Sequence, residues 1–262
     1  MKKKGIALVE RQYLFPFVLI TSLFFLWGFA HAILDVLNKH FQELLTITRT
    51  HSAMIQATMY MGYFIMAIPA GLFINRHGYR KGVVLGLLLY GIGSLLFIPG
   101  QYIASFNMFL FSLFVIGCGL TFLETAANPY VTELGARETA ASRLNFAQSF
   151  NGLGCIFAPI LTGLLLFSDE EKGTSGNVAF PYAVMGVIVL LAALAFMRVR
   201  LPEIPHEEEV DSEGHRVGLW AHKLFVFGLV ALFAYEVSEI SINSFFINYV
   251  TEVGWMNARD AS

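Results

Sequence analysis

Long apolar runs recur from one end of the chain to the other, over residues 14–37, 51–75, 82–101, 107–131, 143–168, 178–199 and 223–250. A bilayer core about 30 Å thick is crossed by roughly 20 residues of helix, and most of these runs are that long or longer. The pattern predicts an all-α membrane protein with seven spanning helices. Most connections are short, so neighbouring helices are expected to pair as antiparallel hairpins. One connection differs: residues 201–222, LPEIPHEEEVDSEGHRVGLWAH, hold two prolines and the acidic run Glu207-Glu208-Glu209. This stretch reads as a linker. The chain thus divides into a six-helix domain (1–200), the linker (201–222) and a seventh helix (223–262) that looks like the start of a second half. Six helices followed by the first of another set is the pattern of a twofold-repeated transporter of about twelve helices. The chain is therefore expected to be a truncated form or a piece of a longer protein. Lys2, Lys3 and Lys4 before the first run, with Ala30-His31-Ala32 near its end, have the outline of a signal peptide. The run is too long for one, and other spans follow at once, so it is read as a retained helix.

Composition agrees with the pattern. Of the 262 residues, 56% are hydrophobic and 14% charged, with mean hydropathy +0.63; soluble domains carry about 25% charged residues. The net charge of −2 and the absence of a basic patch longer than three lysines exclude a nucleic-acid partner. Cys118 and Cys155 fall inside apolar runs and suit neither a disulfide framework nor a zinc site. The basic residues set an expected orientation. With the N-terminus in the cytoplasm, 13 of the 17 Lys and Arg fall on the inside and 4 outside. The positive-inside rule then places both the N-terminus and the 201–222 linker in the cytoplasm.

Ionisable side chains within a bilayer cost roughly 2.5–3.5 kcal/mol on insertion scales, which makes each one a candidate for function. Asp35 lies near the outer end of the first helix. Glu124 lies about seven residues, roughly 10 Å, from the end of the fourth, with no basic residue at i±3 or i±4. Gln148 and Asn151 share a face of the fifth helix at a similar depth, so a carboxylate and two amides are expected in one layer. Such groups bind sugar hydroxyls in fixed directions; the alternative is helix–helix hydrogen bonding. Glu236, Glu239 and Asn243 fall on one face of the seventh helix. Most of the 25 Phe, 10 Tyr and 3 Trp are expected against lipid or at its interface. Trp27, near the polar positions around Asp35, is a candidate for stacking on a sugar ring. Glycines at 82–86, 91–93 and 152–154 are expected to let helices approach closely. No Walker pattern, HExxH or nucleophile elbow is present, so the sequence calls for no enzyme activity, cofactor or metal.

Five segments carry a resemblance. GLFINRHGYRKG at 71–82 resembles the signature loop of the major facilitator superfamily, with Asn75 where an acidic residue is usual. LFFLWGFAHAILDVLNKHFQE at 23–43, YMGYFIMAIPAG at 60–71, FLETAANPYVTELG at 122–135 and RLNFAQSFNGLG at 143–154 resemble the L-fucose permease and the fucose–galactose–glucose:proton symporter family to which it belongs. The resemblance implies a major-facilitator-type bundle. It implies proton coupling at Asp35 and Glu124 and sugar contacts from Glu124, Gln148 and Asn151. His31, Ala32 and Leu34 depart from the asparagine-rich pattern of the fucose permease, and Glu239 falls where glucose/galactose carriers also look acidic.

The expected function is sugar:proton symport by alternating access in a cell (inner or plasma) membrane, with a small sugar, protons and the lipid bilayer as partners. Sugar-site candidates are Trp27, Glu124, Gln148, Asn151, Glu239 and Asn243. An inactive fragment and a non-transporting sugar sensor are the alternatives. The particular sugar, the proton stoichiometry and the oligomeric state stay open at this level.

Overall fold

The structure, a computed structural model, describes residues 7–44, 48–167, 179–199 and 222–256. Among these the chain is helical throughout: α1 (Leu14–Leu44), α2 (Arg49–His77), α3 (Tyr79–Leu95), a short α4 (Phe97–Ile103), α5 (Phe106–Glu133), α6 (Ala140–Phe167), α7 (Ala179–Arg198) and α8 (Lys223–Glu252). Six stretches within them are long and apolar enough to cross a bilayer: 11–34, 51–77, 79–103, 106–133, 179–198 and 223–243. The 28 residues of α6 match the others in length. The 201–222 linker lies outside the described residues, apart from His222.

The third expected span is broken. Leu96 is a turn between α3 and α4. Pro99 explains it: its ring would clash with the carbonyl four residues earlier, at Leu95, and it has no N–H to continue the ladder. The short α4 then supports α7. Gln101 Oε1 accepts a 2.7 Å hydrogen bond from the Ala179 backbone N–H at the start of α7, and Phe97 stacks on Tyr182 at 3.7 Å and 3°.

The bundle packs in pairs, α1 against α6, α2 and α3 against α5, and α3 against α7. With no hydrophobic drive between helices in lipid, close packing needs small residues. A Cβ on Gly28 would overlap the Asn151 carbonyl, and one on Gly154 would overlap that of Phe25, so α1 and α6 touch backbone to backbone. Gly117 meets Met59 in the same way between α2 and α5, and Gly86 meets Gly119 between α3 and α5. The expected role of the glycine runs holds for Gly86, Gly91, Gly93 and Gly154, but Gly152 has nothing within 4 Å. Gly152 points away from the crossing that Gly154 forms, because two residues along a helix turn the side chain by more than half a circle.

Two arginines, Arg80 half-buried and Arg143 buried, cap helix ends of the bundle. The signature segment 71–82 is mostly helix, α2 running to His77 and α3 starting at Tyr79, with Gly78 between them at φ 86°. Arg80 does not find an acid there, since Asn75 is neutral. Its Nε donates to the Phe196 carbonyl at 3.1 Å and its Nη2 to that of Met197, closing the C-terminal turn of α7. Arg143, fully buried, does the same for α5. It donates to the carbonyls of Val131 (3.1 Å) and Thr132, then to Ala136 (3.0 Å), Leu8 (3.2 Å) and Thr139 Oγ1 (2.7 Å).

Helix α8 stands apart. Its first two-thirds are exposed, and it is anchored near its far end, where Ile247, Asn248 and Val250 are buried and α8 contacts α1.

Candidate functional site

Polar side chains link four helices in pairs, α1 to α2, α5 to α6 and α6 to α1. Glu124, half-buried, lies nine residues before the end of α5, roughly 14 Å along its axis. One turn on, Asn128 Oδ1 accepts a 3.3 Å hydrogen bond from Gln148 Nε2 on α6. Gln148 is thus tied to α5 one turn from Glu124. Asn151 is used differently. Its Nδ2 donates to the Phe24 carbonyl of α1 at 3.3 Å, which ties α6 to α1 beside the Gly28–Gly154 crossing. Part of its polar capacity therefore serves helix packing.

Across the layer, α1 and α2 supply a cluster of rings. Trp27 and His31 are one turn apart on α1, and Tyr60 and Tyr63 nearly one turn apart on α2. Trp27 Nε1 donates to the Tyr63 hydroxyl at 3.1 Å. His31 Nε2 lies 2.8 Å from the same oxygen, and His31 Nδ1 lies 3.4 Å from the Tyr60 hydroxyl. The His31 ring centroid is 5.6–6.0 Å from those of Trp27, Tyr60 and Tyr63. Glu124 is within electrostatic reach of Tyr63 and of Glu236 of α8.

The expected site residues fare unequally. Trp27 bonds to Tyr63 and Gln148 to Asn128, one turn from Glu124. Glu239 and Asn243 lie on the exposed part of α8, where Glu239 accepts a hydrogen bond from the Tyr235 hydroxyl. Asp35 is on α1, one turn beyond His31, and its side chain lies outside the described ones. His31, Tyr60, Tyr63 and Asn128 join the expected residues through their hydrogen bonds. The i, i+4 spacing of Trp27 and His31 and the i, i+3 spacing of Tyr60 and Tyr63 are the signals that mark them. Among the described residues no group of His, Cys, Asp and Glu could hold a metal ion.

Membrane-length helices that carry a carboxylate, amides and hydroxyls define a class, the polytopic helical membrane proteins. Residues 17–259 match the Major Facilitator Superfamily, and the chain belongs to that family. It is 35% identical over 259 residues to the glucose/galactose transporter of Brucella abortus, a match that covers 97% of this chain and 63% of the relative. It is 35% identical over 277 residues to the L-fucose-proton symporter of Haemophilus influenzae, covering 96% of this chain and 65% of the relative. The crystal structure of the Escherichia coli fucose:proton symporter superposes with a TM-score of 0.69 at 32% identity, over 92% of this chain and 64% of that one. The chain therefore spans a little under two-thirds of the length of these relatives.

Proposed function

We propose that this chain forms one wall of a secondary active transporter that moves a hexose or 6-deoxyhexose together with a proton by alternating access. The observation that carries the reading is the placement of Glu124. A carboxylate sits in a membrane-length helix with Gln148 and Asn128 paired one turn away and the Tyr63 hydroxyl in electrostatic reach. In a low dielectric an unpaired carboxylate is costly, and uptake of a proton removes that cost. The neutral carboxyl donates a hydrogen bond where the anion only accepted one, so protonation changes what a sugar hydroxyl meets. Proton and sugar binding are thereby linked, and the linkage is reciprocal.

The similar proteins support the class of substrate, through their printed descriptions as glucose/galactose and L-fucose-proton carriers. On this reading Asp35 and Glu124 serve proton coupling. Gln148, with Asn151, Glu239 and Asn243, serves the sugar, and Trp27 offers a ring face. The second wall is a further helical half, of which α8 is the first helix, and the N-terminus and the 201–222 linker face the cytoplasm. The test is uptake of labelled L-fucose, D-galactose and D-glucose by energised cells expressing the gene in its full reading frame, with external pH recorded. Sugar-dependent alkalinisation with uphill accumulation of one of the three is expected. Absence of both for all three overturns the reading.

A further inference from the structure

A cavity of about 870 Å³ lies between α1, α6 and α7, walled chiefly by phenylalanine and aliphatic side chains. Helix α7 packs on α3 and α4 and stands off α1 and α6, with this space between them. Three hydroxyl side chains belong to the wall. Ser22 spends its hydrogen on the Leu19 carbonyl at 2.7 Å, and the oxygens of Thr21 and Thr162 are buried. The surface presented is therefore hydrocarbon. An apolar cavity does not hold water, and an empty one leaves its wall atoms without dispersion partners on one side.

The cavity is separate from the candidate sugar site. Phe25 and Phe29 line it, and each stands two residues from Trp27, a turn of about 200° around α1. Its α1 side chains thus point away from the side that meets the ring cluster on α2. Its rim is exposed at Val18, Phe157, Leu161, Val184 and Ile188, so it opens sideways into the bilayer. It is also long. Helices α1 and α6 run in register, with Phe17 5.7 Å from Phe146 and Phe25 6.3 Å from Phe157, ring centre to ring centre. From Phe146 to Thr162 the wall follows α6 for roughly 24 Å, most of a bilayer core about 30 Å thick. A slot of that depth and chemistry fits a hydrocarbon chain lying parallel to the helices.

Charge decides which way the chain enters. Arg11 precedes Phe17 by six residues and Arg198 follows Ala192 by six, and both arginines are exposed. Because α7 runs antiparallel to α1, the two stand at the same end, roughly 9 Å beyond the last cavity residues. The headgroup layer begins at that depth. The guanidinium fork matches phosphate oxygens in pairs. At the other mouth, no Lys or Arg lies within a turn of Thr162 or Phe180. We propose that this cavity is a lipid site that takes an acyl chain of an anionic phospholipid, with Arg11 and Arg198 at its phosphate.

The test is native mass spectrometry of the protein, expressed in its full reading frame and delipidated in detergent, then titrated with dioleoyl phosphatidylglycerol or dioleoyl phosphatidylcholine. One phosphatidylglycerol is expected to be retained about tenfold more tightly than phosphatidylcholine. The double variant Arg11→Gln with Arg198→Gln should bring the two lipids level. Ala192→Trp, which fills the cavity, should lose retention of both. Equal retention of the two lipids by the wild type overturns the proposal, as does tight retention that survives Ala192→Trp. Should Ala192→Trp fail to fold, a phosphatidylglycerol with a diazirine on its acyl chain decides the matter in the wild type. Photolabelling is expected on α1, α6 and α7 at cavity residues such as Phe25, Phe157 and Val184. Labelling confined to other faces, as when another part of the protein fills the cavity, overturns the proposal.

Discussion

The Gln148 side-chain amide on α6 donates to Asn128 Oδ1 on α5 at 3.3 Å, one helical turn from Glu124. That bond joins α5 and α6 one turn from the carboxylate, which the proposed function makes the proton site. Replacing Glu124 by Gln keeps shape and hydrogen bonding but removes the titration. We expect Glu124→Gln to abolish uphill accumulation, bringing the inside-to-outside sugar ratio to about unity, while sugar exchange persists. Undiminished accumulation by the variant would contradict the role.

The α1–α6 crossing gives a stability prediction with an internal control. Gly28→Ala puts a methyl group into the Asn151 carbonyl, whereas Gly152→Ala meets nothing within 4 Å. Overpacking costs about 1–3 kcal/mol, so Gly28→Ala should lower the unfolding temperature in detergent. Gly152→Ala should leave it unchanged or raise it slightly, because alanine is the better helix former. Equal behaviour of the two variants would show that the crossing is not close.

Arg143 offers a test of geometry against charge. Its hydrogen bonds end on backbone carbonyls and one hydroxyl, spread over the end of α5, the turn before α6 and the N-terminal segment at Leu8. Lysine keeps the charge but not the planar fork. Hydrogen bonds to charged groups contribute about 1.5–3 kcal/mol each. Arg143→Lys should therefore resemble Arg143→Ala in thermal stability more than it resembles the wild type. A lysine variant as stable as wild type would mean that charge alone suffices.

Orientation is checked at Ser212, in the 201–222 segment. With 13 of 17 basic residues on the expected inner side, a cysteine introduced there should react with an impermeant thiol reagent only after cells are opened. Labelling of intact cells would reverse the topology.

Residues 1–262 alone are expected not to carry sugar. The face of α8 that bears Glu239 and Asn243 is exposed, with no second wall opposite the Glu124 layer among the described residues. Alternating access needs two bodies that rock against each other. Liposomes holding only this chain, under an imposed proton gradient, should take up labelled fucose, galactose or glucose no faster than empty ones. Saturable uptake would mean that two copies pair to form one carrier.

The sequence by itself determined the helical membrane fold and the place of Glu124 inside a spanning helix. Both follow from local properties: an uninterrupted apolar run about 20 residues long has no other stable place, and a carboxylate inside such a run is costly wherever the helix packs. Counting residues from the helix ends then sets the depth. The break at Leu96 was equally legible, in Pro99, although the expected span 82–101 passed over it. Tertiary structure alone decided the partners. That Asn151 ties α6 to α1, that Arg80 and Arg143 close the ends of α7 and α5, and that His31 sits between two tyrosines depend on how helices distant in sequence cross. Each residue along a helix turns the side chain by about 100°. A crossing shifted by one residue would give Tyr63 a different neighbour, and no pattern within one helix specifies that shift.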